Sequence, residues 1–445
     1  MWFLKAFLWT LIVGFVFAEQ VWKNSNAIRS IDLRSTFIRE TNSLIIVNEG
    51  NEPESVYRYH QHLNENEKVA EIQAVIKELS KKKALITKVD DESFDIFLET
   101  PVQPGQSLTI TVQASLIHGF RPLPAAIDQD DAQYLVYKTS RFLDSVYPTE
   151  QQRTRFILPS SEIESFTTFE ESPARKGNTL VYETRSLVVP GDSEEEIQVR
   201  FEHTNPLPNA LDFKMQVELH EYRQKIDVSE RIIVENRSAK LKNPFDRARW
   251  YMKNFYNPVS TAINRFLITL PKDVSDVSYT DEVGNITTSH MRTEPKQTVL
   301  ELLPRYPVFG GWNYLYNLAW SMPYSTFAKQ EDEQTVIRLP LTWVPGELLF
   351  EKAVWSYVFP EGATNVSVKM PVTVDSTRVE TVHKFLDTKG RQVYTFESTN
   401  VIDGSPSQFV EISYNFDSSI MYMRVAIITV LVLVLATAIY LIWAP

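Results

Sequence analysis

The sequence predicts a mainly β, membrane-anchored chain, with two tandem β-rich, sandwich-like domains followed by one C-terminal transmembrane helix. Three observations carry this. The run Val425–Trp443 holds nineteen residues without a charge. At about 1.5 Å per residue it makes a helix of roughly 28 Å, close to the thickness of a bilayer core. Upstream, short runs of β-branched and aromatic residues alternate with polar ones and end at Pro- and Asn-containing turns. The chain also has no cysteine, so an exported fold of this length must rest on large apolar cores instead of disulfides.

At the other end, residues 1–18 carry one charge, Lys5, ahead of an apolar run. Small residues precede an expected cut between Ala18 and Glu19, the pattern of a secretory signal peptide. Orientation rests on that peptide, because the one positive charge next to the span, Arg424, lies on the exported side. The expected organisation is a signal peptide at 1–18, a first β-rich domain at 19–209 and a second at 210–420. The anchor at 421–445 follows, with a minimal cytosolic tail. The net charge of −11 argues against nucleic acid or an anionic membrane surface as partner.

Within the first domain, residues 43–48 read as a strand. Residues 67–83 place Val69, Ile72, Val75, Ile76 and Leu79 at helical spacing, with Lys81, Lys82 and Lys83 at the helix end. Residues 101–105 read as a turn, and 108–112 as a half-buried strand. The segment 204–209 marks the boundary. After it, Leu211, Phe213, Met215, Val217 and Leu219 alternate with polar residues in the cleanest period-two run of the chain. Further strands are expected at 266–270, 354–359, 366–370, 393–396 and 410–416, the last running almost into the anchor. No repeat of 20 to 50 residues is visible.

Catalytic signatures are weak. His220-Glu221 opens like a zinc-protease motif, but Tyr222, Arg223 and Gln224 follow and the second histidine is missing. His60 and His62 lack a third ligand nearby. Asp128 and Asp130 match the D-x-D with which some sugar-nucleotide transferases hold a metal, although a solvated acidic loop is the favoured reading. There is no G-x-S-x-G elbow and no phosphate loop. The sequons at Asn236, Asn285 and Asn365 are candidate N-glycosylation sites, with Asn285 favoured by its Gly-Asn turn.

The stretch YTDEVGNITTS at 279–289, followed by RYPVFGGW at 305–312, resembles the ribophorin I family. LAWSMP at 318–323, PEGA at 360–363, YPT at 147–149 and EISYNF at 411–416 add to the likeness, which is strongest over residues 265–420. Chain length is more similar to the short fungal form. The resemblance implies a non-catalytic subunit of the oligosaccharyltransferase complex: single-pass type I, in the endoplasmic reticulum membrane, with both β-domains lumenal. It implies no cofactor and no metal. The expected partners are a catalytic multi-span subunit and other membrane subunits, with nascent polypeptide as a further contact. The W-W-D motif of that catalytic subunit is absent here. Arg305, Tyr306, Pro307, Phe309, Gly310, Gly311 and Trp312 are candidates for a partner or substrate contact. Ala426, Ala436, Thr437 and Ala438 offer small surfaces for helix packing within the membrane. The rival classes are a metal-dependent glycosyltransferase using Asp128 and Asp130, an ectopeptidase, and a cell-surface adhesion ectodomain.

Overall fold

The computed structural model describes residues 21–443 apart from 78–81, 171, 191–194, 257–258, 332–333, 345–347, 386, 404–407 and 418. The expected signal peptide and its Ala18/Glu19 cut lie outside the described residues. The chain is mainly β, as expected, with the ten-residue helix α1 (Arg247–Tyr256) and the 25-residue helix α2 (Ser419–Trp443).

An eight-stranded sheet organises the first half. Its strand Trp22–Asp32 runs parallel to Gln152–Ile157 and antiparallel to Ile38–Asn48, which in turn pairs with Ser107–Ile117. Every second residue of Ile38–Asn48 is buried, so one face of this sheet must be covered. Two small sheets cover it, one at each end of the strands. A three-stranded sheet, containing Glu54–His60 and Ser93–Val102, packs Tyr57, Phe94 and Ile96 on Leu44, Ile46 and Ile110. A four-stranded sheet, containing Tyr134–Ser140 and Glu196–Glu202, packs Tyr137, Val199 and Phe201 on Ile31, Ile38 and Leu116.

Between these two apolar clusters the same face is polar. Arg29 donates to both oxygens of Glu40 at 2.7 and 3.1 Å and to Thr139 Oγ1 at 2.8 Å. Asn42 and Gln61 also donate to Glu40. Burial alone would raise the Glu40 carboxyl, but the Arg29 charge overrides it and holds the group below its ordinary value. A fully buried pair is stable only when its remaining hydrogen bonds are made, as they are here.

The second half repeats this plan strand for strand. Its seven-stranded sheet begins with Pro208–His220, parallel to Leu348–Val358 and antiparallel to Lys225–Asn236, which pairs with Asn313–Pro323. A three-stranded sheet, with Phe266–Pro271 and Gln297–Leu302, and a four-stranded sheet, with Gln334–Pro340 and Phe409–Phe416, cover its apolar face. Among the described residues, strand order along the chain and across each of these sheets is the same in both halves, apart from the short edge strand Lys82–Lys83 and the two-residue strands Ala126–Ile127 and Lys240–Leu241, which pair with each other between the halves. The repeat is therefore half the β-region long, far beyond a solenoid period.

The sequence reading of residues 67–83 as a helix is overturned. Lys68–Ile76 is a strand paired with Ser107–Ile117. A bulge between Val69 and Glu71 inserts one residue. It brings Val69, Ile72, Ala74 and Ile76 opposite Leu116, Ala114, Val112 and Ile110, all on one face. That extra residue turns period two into an apparent helical step. Lys82 and Lys83 pair antiparallel with Ile76 and Val75, while Leu79 and Lys81 of that reading lie outside the described residues.

The strand Pro208–His220 spans thirteen residues, roughly 40 Å. One of its ends meets the first half, where Phe37, Ile117, Leu349 and Ile402 form an apolar bridge. The other end, at His220, faces the first turns of α2, since both line one cleft. The first half is thus held about a sheet length away from the anchor.

One buried carboxyl gives the first half a pH signature. Glu67 is buried beside Gly119 and accepts from Asn64 N and Nδ2 at 3.0 and 2.8 Å. Burial pushes its carboxyl up to about 7, from 4.5 in an exposed chain. The folded state therefore holds the extra proton, and stability falls as pH rises through that window, by up to about 3 kcal/mol. Glu67→Gln should remove this slope. Thermal unfolding of the full-length chain at about pH 5 and about pH 7.5 checks it: the variant should gain on wild type at the higher pH. An equal difference at both would contradict it.

Candidate functional site

The two sequence stretches that carry the family resemblance meet at the end of the seven-stranded sheet that faces the first half. Residues 279–286 close a tight turn in which Asp281 Oδ1 accepts from Val283 N and Gly284 N, both at 2.9 Å. Arg305 donates to the same carboxylate through Nε at 2.6 Å and Nη2 at 2.9 Å. With the Arg305 hydrogen bonds as the main cause, the Asp281 carboxyl is held down to about 2. A bidentate arginine–carboxylate clamp of this kind fixes both segments in one geometry.

Beyond the clamp, Phe309 to Trp312 forms a turn closed by Trp312 N donating to Phe309 O at 2.9 Å. Gly311 holds its third place at φ +79°, a backbone that L side chains rarely adopt. Gly310 lies against the carbonyls of Ser238 and Ala239, so closely that an added Cβ would stand 2.1 Å from Ala239 O. Phe309 is fully buried among Phe245, Trp250, Ala262 and Trp312. Phe309 and Gly310 are therefore internal and cannot touch a partner, which corrects two of the expected contacts. Pro307 is half-buried. The outward surface is left to Arg305, Tyr306, Gly311 and the edge of Trp312. The Tyr306 ring sits edge-on to Trp312 at 6.0 Å and to Tyr314 at 5.6 Å.

Asn236 lies at the centre of this junction. Its Nδ2 donates to Thr261 O at 2.6 Å and Val308 O at 2.8 Å. Its Oδ1 accepts from Leu207 N at 3.2 Å and Ser238 N at 3.1 Å. Its backbone bonds Trp312 O and Gly311 N. The side chain is wholly buried, and the nitrogen a glycan would occupy already donates twice. Asn236 is thus corrected from glycan candidate to structural hub. Asn285 and Asn365 are both exposed.

The residues flanking the turn tie it to the first half. Gln133 Oε1 accepts from Ala239 N at 2.7 Å. Gln129 and the Asp246 backbone exchange two bonds, at 3.0 and 3.2 Å. Asp246 also caps α1, its Oδ1 accepting from Ala248 N and Arg249 N. That helix brings Trp250 onto Phe309 at 5.3 Å. The sequence reading missed α1, although an aspartate two residues ahead of an Ala-Arg-Trp run is a helix-start signal.

The alternative chemistries do not assemble. Asp128 accepts from Asn243 Nδ2 at 2.5 Å and Asp130 pairs with Arg249, so the D-x-D docks α1 and its approach. Glu221 accepts from the Tyr324 and Tyr414 hydroxyls, and His220 faces Asp227 at 3.0 Å. His60 and His62 both approach Asp144, at 3.4 and 3.7 Å. Among the described residues no group of three or more His, Cys, Asp or Glu is placed to hold a metal.

The sequence model of the ribophorin I family matches residues 22–443. The chain is 56% identical over 447 residues to the dolichyl-diphosphooligosaccharide–protein glycosyltransferase subunit 1 of Schizosaccharomyces pombe, covering 99% of each. It is 29% identical to subunit 1 of Caenorhabditis elegans, over 91% of this chain and 69% of that one. It is 30% identical to subunit 1B of Oryza sativa, over 73% of this chain and 67% of the relative.

The two glycines of the turn should respond differently to a methyl group. Gly310→Ala drives Cβ into backbone and should cost at least about 3 kcal/mol. Gly311→Ala meets only the flexible Lys240 side chain and should cost about 1–2 kcal/mol of backbone strain. Thermal unfolding of the detergent-solubilised chain gives the ranking, and an equal loss in the two variants would contradict the geometry.

Proposed function

The chain belongs to the ribophorin I family, and from that premise we propose that it is a non-catalytic subunit of an oligosaccharyltransferase complex. In this role it supports N-linked glycosylation from the endoplasmic reticulum membrane. The observation that carries the reading is the 56% identity extending over 99% of both chains. The internal pairing of Asp128, Asp130, His220 and Glu221 agrees with a structural role for these groups.

In this reading α2 crosses the membrane through Val425–Trp443 with the β-region in the lumen, as a type I protein. Residues 19–209 and 210–420 are its two domains and correspond to the two copies of the repeated sheet arrangement, with the boundary falling two residues inside the strand Pro208–His220 that opens the second copy, and they meet at the Asn236 hub. The partners are a catalytic multi-span subunit and other membrane subunits that pack on the span. Tyr306, Arg305 and the Trp312 edge are the contact surface for a partner or for nascent polypeptide. Such a surface suits the role because rigid aromatic rings give large contact area at little entropic cost.

Two measurements test this. Affinity purification of the full-length chain in mild detergent should recover a multi-span protein carrying W-W-D, together with acceptor-peptide glycosylation; recovery of the chain by itself would sink the proposal. For topology, Asn285→Gln and Asn365→Gln should each remove one endoglycosidase-sensitive step in gel mobility. Asn236→Gln should remove none and lower thermal stability, because it displaces four buried hydrogen bonds, each worth about 1 kcal/mol or more. Unchanged mobility for both Asn285→Gln and Asn365→Gln would contradict lumenal exposure of these turns.

A further inference from the structure

At the anchor end of the seven-stranded sheet a cleft of about 820 Å³ opens between the β-region and α2, lined among others by Tyr222, Arg223, Phe385, Arg391, Val425 and Ile428. Val425 and Ile428 belong to the membrane-crossing run. Whatever lines the cleft with them therefore stands at the level where the bilayer begins. Tyr222 is 53% exposed at the tip of the turn joining Pro208–His220 to Lys225–Asn236. Phe385 is 92% exposed in the loop after Ser376–Val382. One exposed aromatic on a soluble surface needs no explanation. Two on neighbouring hairpin tips, level with the start of an apolar span, do.

The loop is built to present its ring outward. Lys384 N donates to Asp387 Oδ2 at 3.0 Å, and Asp387 N to Lys384 O at 3.0 Å. Arg391 donates to Asp387 and Glu218, at 3.0 and 2.7 Å. Thr388 N and Lys389 N donate to Glu361 Oε1, at 2.5 and 2.6 Å. The acidic groups are thus consumed inside, bracing the loop. Phe385 points away from them, with Arg223 close by, its guanidinium on the Tyr222 ring. Tyr422, also exposed, precedes the span directly.

We propose that Tyr222 and Phe385, flanked by Arg223, seat in the headgroup–acyl boundary of the phospholipid bilayer and form a second membrane contact beside the span, while the Lys384 ammonium is held by both oxygens of Glu218 at 2.6 Å and braces the loop. Aromatic rings favour that boundary, and a long basic side chain such as Arg223 buries its stem there while its charge reaches phosphates. Attachment at two places fixes the tilt of the β-region; one helix alone would leave it free to swing. The inference rests on the apolar span and not on the oligosaccharyltransferase reading.

The lack of cysteine makes a clean test available. Phe385→Cys in the full-length chain gives a single site for an environment-sensitive fluorophore, read in phosphatidylcholine–phosphatidylserine nanodiscs. Val434→Cys, within the span, reports whether the anchor is inserted. Val283→Cys reports open water, being 78% exposed at the opposite end of the sheet. The proposal expects a blue-shifted emission at position 385, a loss of intensity with doxyl-labelled lipids and protection from aqueous iodide. Iodide quenching equal to that at position 283, with position 434 quenched by lipid, overturns it. Shielding from both quenchers after purification with bound partners also overturns it, by showing a protein contact instead. Tyr222→Cys should repeat the result at position 385.

Discussion

Everything in this protein depends on covering one apolar face of a wide sheet without a disulfide. A sheet of seven or eight strands exposes more buried-type surface than one small sheet can hide. Each half solves this with two small sheets laid along the same face. In the first half the seam between the two covers is polar, and the Arg29–Glu40 pair with its ring of amides and hydroxyls occupies it. In the second half the cluster is continuous, with Trp320, Trp355 and Tyr357 filling the width. Apolar burial at about 25 cal/mol per Å² is enough to hold such cores without cross-links.

The same arrangement sets the path from anchor to first domain. The seven-stranded sheet faces the span at one end and carries the Asn236 junction at the other, so its strands act as a spacer roughly 40 Å long. The junction is stiff for a physical reason. Asn236 satisfies both backbone donors and backbone acceptors from four segments, and Gly310 lets two backbones approach where a side chain would not fit. A subunit that braces a membrane complex needs this kind of rigidity more than it needs a pocket.

Much of this was legible in the sequence. The apolar span, the alternation after residue 210 and the final strand before the anchor declare themselves because their side chains meet one environment per face. Other features stayed hidden because they depend on partners distant in the chain. A single bulge beside Val69 disguised a strand as a helix. A sequon at Asn236 said nothing of the carbonyls that Thr261 and Val308 would bring to it. The duplication was invisible because only backbone order repeats. The leading strand of each half reads WKNSNAIRSID in one and PNALDFKMQVELH in the other. The link between Asp281 and Arg305 gives the two family stretches a common cause, but only the folded chain shows that they touch.

The central claim is that this chain supports glycan transfer without performing it. The most direct measurement compares oligosaccharide transfer to an acceptor peptide by the chain purified alone and by the chain with its co-purifying partners. Each is also assayed as Asp128→Asn, Asp130→Asn. The account predicts no transfer by the chain alone, and transfer by the assembly that survives the double substitution. Transfer by the chain alone, abolished by that substitution, would contradict it.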